Sequence, residues 1–154
     1  MNPDEMITEL KLALPPVPKA AGLYKPVLMQ GDLVYFSGHL PILSDGSMIT
    51  GRVGTELSIE EGAAAARHVG LSVLSSLKEK LGSLNQISRL IKLLGMVNAP
   101  SSFSEHPKVI NGCSELFREI WGEDLGVGVR SAFGVSGLPG NASVEIEGIF
   151  QLAQ

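Results

Sequence analysis

Cysteine occurs once in the 154 residues, at Cys113. A single thiol excludes an internal disulfide and any cysteine-based metal cluster. Basic runs are also missing. The 12 Lys and Arg are scattered among 16 Asp and Glu, for a net charge of −4. That argues against a large nucleic-acid footprint, which normally shows as a basic patch. No stretch approaches the roughly 20 apolar residues that span a bilayer. The start, Met1-Asn2-Pro3-Asp4-Glu5-Met6, is acidic, and no long apolar run follows it. It is not a secretory signal, so a cytoplasmic protein is expected. The three histidines, His39, His68 and His106, lack metal-ligand spacing. Gly126-Val127-Gly128 lacks the pattern of a nucleotide loop. Neither a metal nor a cofactor is expected. Repeats, low-complexity tracts and dividing linkers are absent, so residues 1–154 read as a single domain, with 1–23 as a helix and extended arm.

Apolar residues make up 44% of the chain and charged residues 18%. That is rich for a small monomer and is accounted for by a further buried surface, such as a subunit interface. Residues 4–13 suit a short helix, which Leu14-Pro15-Pro16-Val17-Pro18 breaks. Strands are expected over Tyr24–Met29 and Leu33–Gly38, with a turn at Gln30-Gly31-Asp32 and a hairpin turn at Asp45-Gly46. Ser58-Ile59-Glu60-Glu61 is a capping box and opens a helix to about Lys80. Its buried face is Ala66, Val69, Val73, Leu77 and Leu81. Ala63 to Ala66 suit a close approach to a sheet. Gly82 ends the helix. Arg89–Val97 is apolar on both faces apart from Lys92, the pattern of a central strand. Pro107 after His106 starts a second helix with a stripe of Val109, Ile110, Cys113, Leu116, Phe117 and Ile120, and Gly122 stops it. Two strands follow. Strands with two helices on one face of a single sheet make an α+β fold.

The stretch Val127 to Phe150 organises the chain. Two strand-like runs flank Leu138-Pro139-Gly140-Asn141, which is turn chemistry. Alternation places Val144, Ile146, Phe150 and Leu152 on one face and Glu145, Glu147 and Ile149 on the other. In the run before, Ser131, Phe133 and Val135 oppose Arg130, Ala132 and Gly134. The uncovered face of the sheet is expected to carry Arg130 and Glu145, with other subunits covering it. Charges set among small and apolar groups need a partner or a ligand.

Arg130-Ser131-x-Phe133, then Leu138, then Val144-Glu145-Ile146 resembles the signature of the RidA/YjgF family, the reactive-intermediate deaminases also called L-PSP endoribonucleases. Tyr24, Gly31, Ser37-Gly38 before Leu40-Pro41, and Asn111 six residues before Phe117 match in spacing. The resemblance runs from about Tyr24 to Phe150. It implies a chorismate-mutase-like α+β fold, a homotrimer with ligand sites in the clefts between subunits, and hydrolysis of small 2-imino acids to 2-keto acids and ammonia, without a cofactor. Arg130 would grip the substrate carboxylate with two parallel hydrogen bonds. Glu145 would orient or deprotonate the attacking water. Tyr24 would close the pocket, and Ser37, Gly38, Asn111 and Ala132 would complete it. The family usually has Pro or Ala where this chain has Gly128, cysteine at Ala132 and glutamine at His39. The N-terminal arm and the loop from Ala99 to His106 also depart from the compact pattern and mark a side branch.

Structural readings stand beside these. Arg130 and Glu145 could form an ion pair. In a plain hairpin turning near Gly140 they would be offset by about five positions, about 16 Å at roughly 3.3 Å per residue, too far to pair directly. Tyr24 could be a packing residue, Asn111 a loop contact, His39 a satisfied structural histidine and Cys113 a buried apolar residue. The functional alternatives are a non-catalytic module that binds a small carboxylate and regulates a partner, and a ribonuclease. The acidic charge and the lack of a basic aromatic face speak against the ribonuclease.

Overall fold

The computed structural model describes residues 1–154. Its elements are α1 (Pro3–Glu9), β1 (Val27–Gln30), β2 (Leu33–His39), α2 (Ile59–Leu81), β3 (Ile87–Asn98), α3 (His106–Leu125), β4 (Val129–Val135) and β5 (Val144–Leu152). The strands form one five-stranded sheet in the order β1-β2-β5-β3-β4. The pair β3–β4 is parallel and all the others are antiparallel. A parallel pair needs a crossover, and α3 supplies it. The fold is therefore a mixed α+β sheet, with α2 and α3 side by side on one face and short α1 as a third helix.

Local chemistry explains most boundaries. Ser58 accepts from the Glu61 amide while the Glu61 carboxylate accepts from the Ser58 amide, closing the expected capping box on α2. Asn2 and Glu5 make the same box on α1, with Pro3 in the first turn. That helix ends at Glu9 rather than near residue 13, because Lys11 turns into the left-handed region (φ 52°). β1 starts at Val27 rather than Tyr24. Pro26 has no amide to give a ladder, and the chain bends just before it. Gly122 interrupts α3 at φ 88°, and one further turn carries it to Leu125.

The core lies between the sheet and the two long helices. Phe150 sits at its centre, with Phe117 at 5.3 Å, Trp121 at 5.1 Å and Phe36 at 5.7 Å between ring centres. All six residues of the α3 stripe are buried, as are Ala66, Val69, Val73 and Leu77 of α2. The Ala63 carbonyl oxygen lies 1.9 Å from where a Cβ on Gly112 of α3 would be. The pair thus sets how closely the two helices cross.

One expectation about the last strands is corrected, and the plain hairpin is ruled out. β4 and β5 are not a hairpin, because β3 lies between them. Arg130 is also not on the open face. Leu93 pairs with Arg130 and Gly95 with Ala132, and Leu93 and Gly95 face α3. Phe133 points the other way and is 41% exposed. The physical reason is room. A Cβ on Gly134 would lie 2.5 Å from the His106 ring nitrogen, so the small residues of β4, not the aromatic one, must face the helix. The open face carries Leu28, Tyr35, Val129 and Phe133, all exposed, around Glu145 and Glu147.

Candidate functional site

The site residues fall into two groups within one chain. The first is built on β4 and α3. Arg130 donates from Nη1 to Asn111 Oδ1 at 2.7 Å and to Ser114 Oγ at 3.1 Å. Asn111 and Ser114 are one helical turn apart, which puts both acceptors on one side of α3. Sequence reasoning named Asn111 and missed Ser114, although the three-residue spacing was its signal. Both acceptors are neutral, and Arg130 enters no salt bridge. Its cleft, about 310 Å3, is bounded by Asn111, Ser114, Arg118 and Gly128 and also by the acidic Glu115 and Glu123, the latter paired with Arg118 at 3.8 Å. Ala132 is half-buried two residues along the same face. β4 is an edge strand, so its outer backbone groups are unpaired within the chain.

The second group lies around a break in the β2–β5 ladder. The register shifts between Phe36 and His39, and Gly38 occupies that irregularity. A Cβ there would lie 2.0 Å from Glu145 Oε2, so the Glu145 carboxylate rests directly on the Gly38 backbone. Burial, and second the charge of Glu147, push the Glu145 carboxyl above the usual carboxylate range. A carboxylate shifted that way is a stronger proton acceptor than an ordinary one. Ser37 is held by its hydroxyl on the Lys25 carbonyl at 2.6 Å and by its amide on the Pro26 carbonyl at 2.9 Å. Tyr24 is 47% exposed, and its hydroxyl accepts from the Ala21 amide at 3.2 Å. Tyr24, Gly38 and His39 border one cleft, whose other wall is Val17 to Lys19 of the arm.

His39 is structural. A carbonyl only accepts, so Nδ1 donates to Ser37 O at 2.6 Å, and Nε2 then accepts from Ser76 Oγ at 2.8 Å. Burial, opposed by the Ser37 carbonyl, lowers its pKa and keeps the ring neutral. It locks the backbone of Ser37 and Gly38 to α2. Cys113 is wholly buried, and burial pushes its thiol far up, so it is inert core. No group of His, Cys, Asp and Glu is arranged to hold a metal ion. No helix is long and apolar enough to cross a membrane.

Arg130 and Glu145 do not meet within one chain. Arg130 pairs with Leu93, which pairs with Gly148, three residues from Glu145. Two strand spacings across and three residues along give about 14 Å, and the two side chains lie on opposite faces. An intrachain ion pair is thereby excluded.

The comparisons with known proteins agree with this architecture. The sequence model of the family described as "YjgF/chorismate_mutase-like, putative endoribonuclease" matches residues 5–146. "Protein TCP17" of Trypanosoma cruzi is 36% identical over 146 residues, 95% of this chain and 91% of that protein. A solved Shewanella oneidensis structure, titled as a putative endoribonuclease, is 31% identical. It superposes with a TM-score of 0.93, covering 99% of this chain and 100% of that one. RidA from an Antarctic Psychrobacter is 26% identical with a TM-score of 0.59, over 88% of this chain and 93% of that one. With a family-model match over residues 5–146 and a superposition covering 99% of the chain, this protein belongs to the YjgF/chorismate-mutase-like family.

Proposed function

We propose that the protein hydrolyses small reactive 2-imino acids to 2-keto acids and ammonia, in clefts completed by a second copy in a homotrimer. One observation carries the reading. Arg130 is held by two neutral acceptors, has no carboxylate partner and opens on a cleft. A guanidinium placed that way has its charge available for a planar carboxylate. Glu145 supports it from the other group, through its raised pKa and its place against the Gly38 backbone. The two lie apart in one chain, and the exposed apolar sheet face is the surface through which a second copy would bring Glu145 and Tyr24 toward Arg130.

In this reading Arg130 fixes the carboxylate, so the imine carbon is presented in one orientation. Glu145 takes a proton from water as its oxygen bonds to that carbon. The same proton passes to nitrogen, giving a carbinolamine; Glu145 then takes the hydroxyl proton and delivers it to nitrogen, the C–N bond breaks with its electron pair leaving on nitrogen, and the ketone forms. Ammonia and the 2-keto acid are the products, and Glu145 ends deprotonated, as it began. The steps use general acid–base chemistry and orientation, and no thiol, which suits Ala132. The Ala132 position and the separation of Arg130 from Glu145 also fit the second reading, a module that binds a small carboxylate without turnover.

The test is ammonia release from freshly generated 2-iminobutanoate and 2-aminoacrylate, counted only above spontaneous hydrolysis. The wild type is expected to give an excess that Arg130→Ala removes. Absence of an excess together with saturable 2-keto acid binding would replace the deaminase with the binding module. RNA cleavage that copurifies with the chain and disappears in Arg130→Ala would instead favour a ribonuclease.

A further inference from the structure

Arg52 has a chemistry that the Arg130 cleft leaves unexplained. It lies in the turn before α2. Its Nη2 donates to the Ala99 carbonyl at 2.5 Å, and its Nε is buried without an acceptor. It enters no salt bridge. The neighbouring Glu56 carboxylate is engaged by the Arg52 backbone amide at 3.1 Å. A guanidinium with unspent donors and no counter-charge is costly to keep partly buried.

This guanidinium opens on a cleft of about 550 Å3, bordered by Ser101, Phe103, His106, Gly134 and Ser136, with no acidic residue in its lining. The cleft lies where the parallel strands β3 and β4 end and α3 begins. In α/β units that is where ligands collect. The first turn of α3 has no side-chain cap, and the Glu105 carboxylate is engaged by Lys108 at 3.1 Å. The His106 ring stands edge-on to Phe103 at 5.1 Å and lies over Gly134, whose lack of a Cβ admits it.

We propose that this cleft is a second oxyanion site, for a ligand of the phosphate-monoester class, with Arg52 as its charged donor and Ser101, Ser136 and His106 around it. The donors come from four separate segments: the turn before α2, the loop after β3, the start of α3 and the loop after β4. Donors converging from several directions suit a tetrahedral oxyanion better than a planar carboxylate, which one guanidinium edge satisfies. The site is separate from Arg130: Gly134, its nearest lining residue on β4, is four residues and roughly 13 Å away along the strand. It is independent of the deaminase reading.

The probe is inorganic phosphate, titrated calorimetrically and followed by the NMR signals of the His106 ring. Saturable binding is expected at one site per chain. Arg52→Met should weaken it at least about tenfold, the range for losing a charge-assisted hydrogen bond. Because that variant also frees the Ala99 loop, Ser136→Glu provides a second test. It keeps Arg52 and sets a carboxylate at the mouth, and should weaken phosphate similarly while the melting curve stays unchanged. Arg130→Ala should bind phosphate as the wild type does. The proposal is overturned if the wild type shows no saturation or if Ser136→Glu binds unchanged. It is equally overturned if Arg130→Ala abolishes binding or if acetate competes as well as phosphate.

Discussion

Replacing Gly38 by alanine separates the placing of Glu145 from its presence. The added Cβ would lie 2.0 Å from Glu145 Oε2, 2.8 Å from Cδ and 3.1 Å from Cγ. Real Cβ atoms essentially never come within 3.0 Å of another heavy atom, so the carboxylate must retreat by at least 3.0 − 2.0, about 1 Å. The backbone at Gly38 is not in the left-handed region, so alanine adds no strain of its own. The displaced group is the far end of a flexible, half-buried side chain, so the fold should lose less than about 1 kcal/mol. A 1 Å misplacement of a reacting group, in contrast, can cost about 100-fold in rate. The assay is ammonia release above background, paired with a melting curve and a 2-keto acid titration. The expected result is a melting temperature near wild type, carboxylate binding retained through Arg130, and an excess rate lowered by about two orders of magnitude. An unchanged excess rate in a folded Gly38→Ala would refute a catalytic Glu145 set by this contact. A collapse of stability would refute the claim that only the carboxylate moves.

Other outcomes follow from the same structure. The Glu145 carboxyl is held above the usual range by burial first and by Glu147 second. The excess rate, which needs the ionised base, should therefore rise with pH through a pKa above that of an ordinary glutamate. The stability consequence has the opposite sign. The folded state disfavours the charge, so a penalty is absent below the ordinary carboxylate pKa and appears as pH rises through the folded one. Glu145→Gln should melt higher than wild type at neutral pH and no higher in acid, as read by thermal scans at both. Gly112→Ala would drive a Cβ to 1.9 Å from the Ala63 carbonyl oxygen, backbone that cannot swing aside. Separating α2 from α3 should cost about 3 kcal/mol or more, which lowers the melting temperature by roughly 6–12 °C. A melt within about 2 °C of wild type would show that the helices do not cross as described.

Much of this architecture was legible in the chain because it rests on short-range chemistry. Ser58 and Glu61 close a box three residues wide, and the stripes of α2 and α3 follow a single helical period. The Arg130, Glu145 and Asn111 signature identified the family before any coordinate. His39 and Cys113 also took the structural roles expected of them. The misreadings came where several segments compete for one space. Periodicity placed Arg130 opposite Phe133 correctly, yet which of the two faces met the helices depended on the bulk of His106 above Gly134. Whether the last two strands paired with each other was open in the sequence, because the insertion of β3 between them is a choice of pairing partners that no local pattern records. Ala63 to Ala66 read as a close approach to a sheet, and the Ala63 carbonyl also meets Gly112, forty-nine positions away, which no local pattern records. The sequence by itself determined the elements, their caps, their apolar faces and the family, because each depends on residues within a few turns of one another. The tertiary structure alone decided which charges share a cleft. It set Arg130 against Asn111 and Ser114, Glu145 against Gly38, and left Arg52 without an acid, since those distances are the outcome of the whole core packing at once.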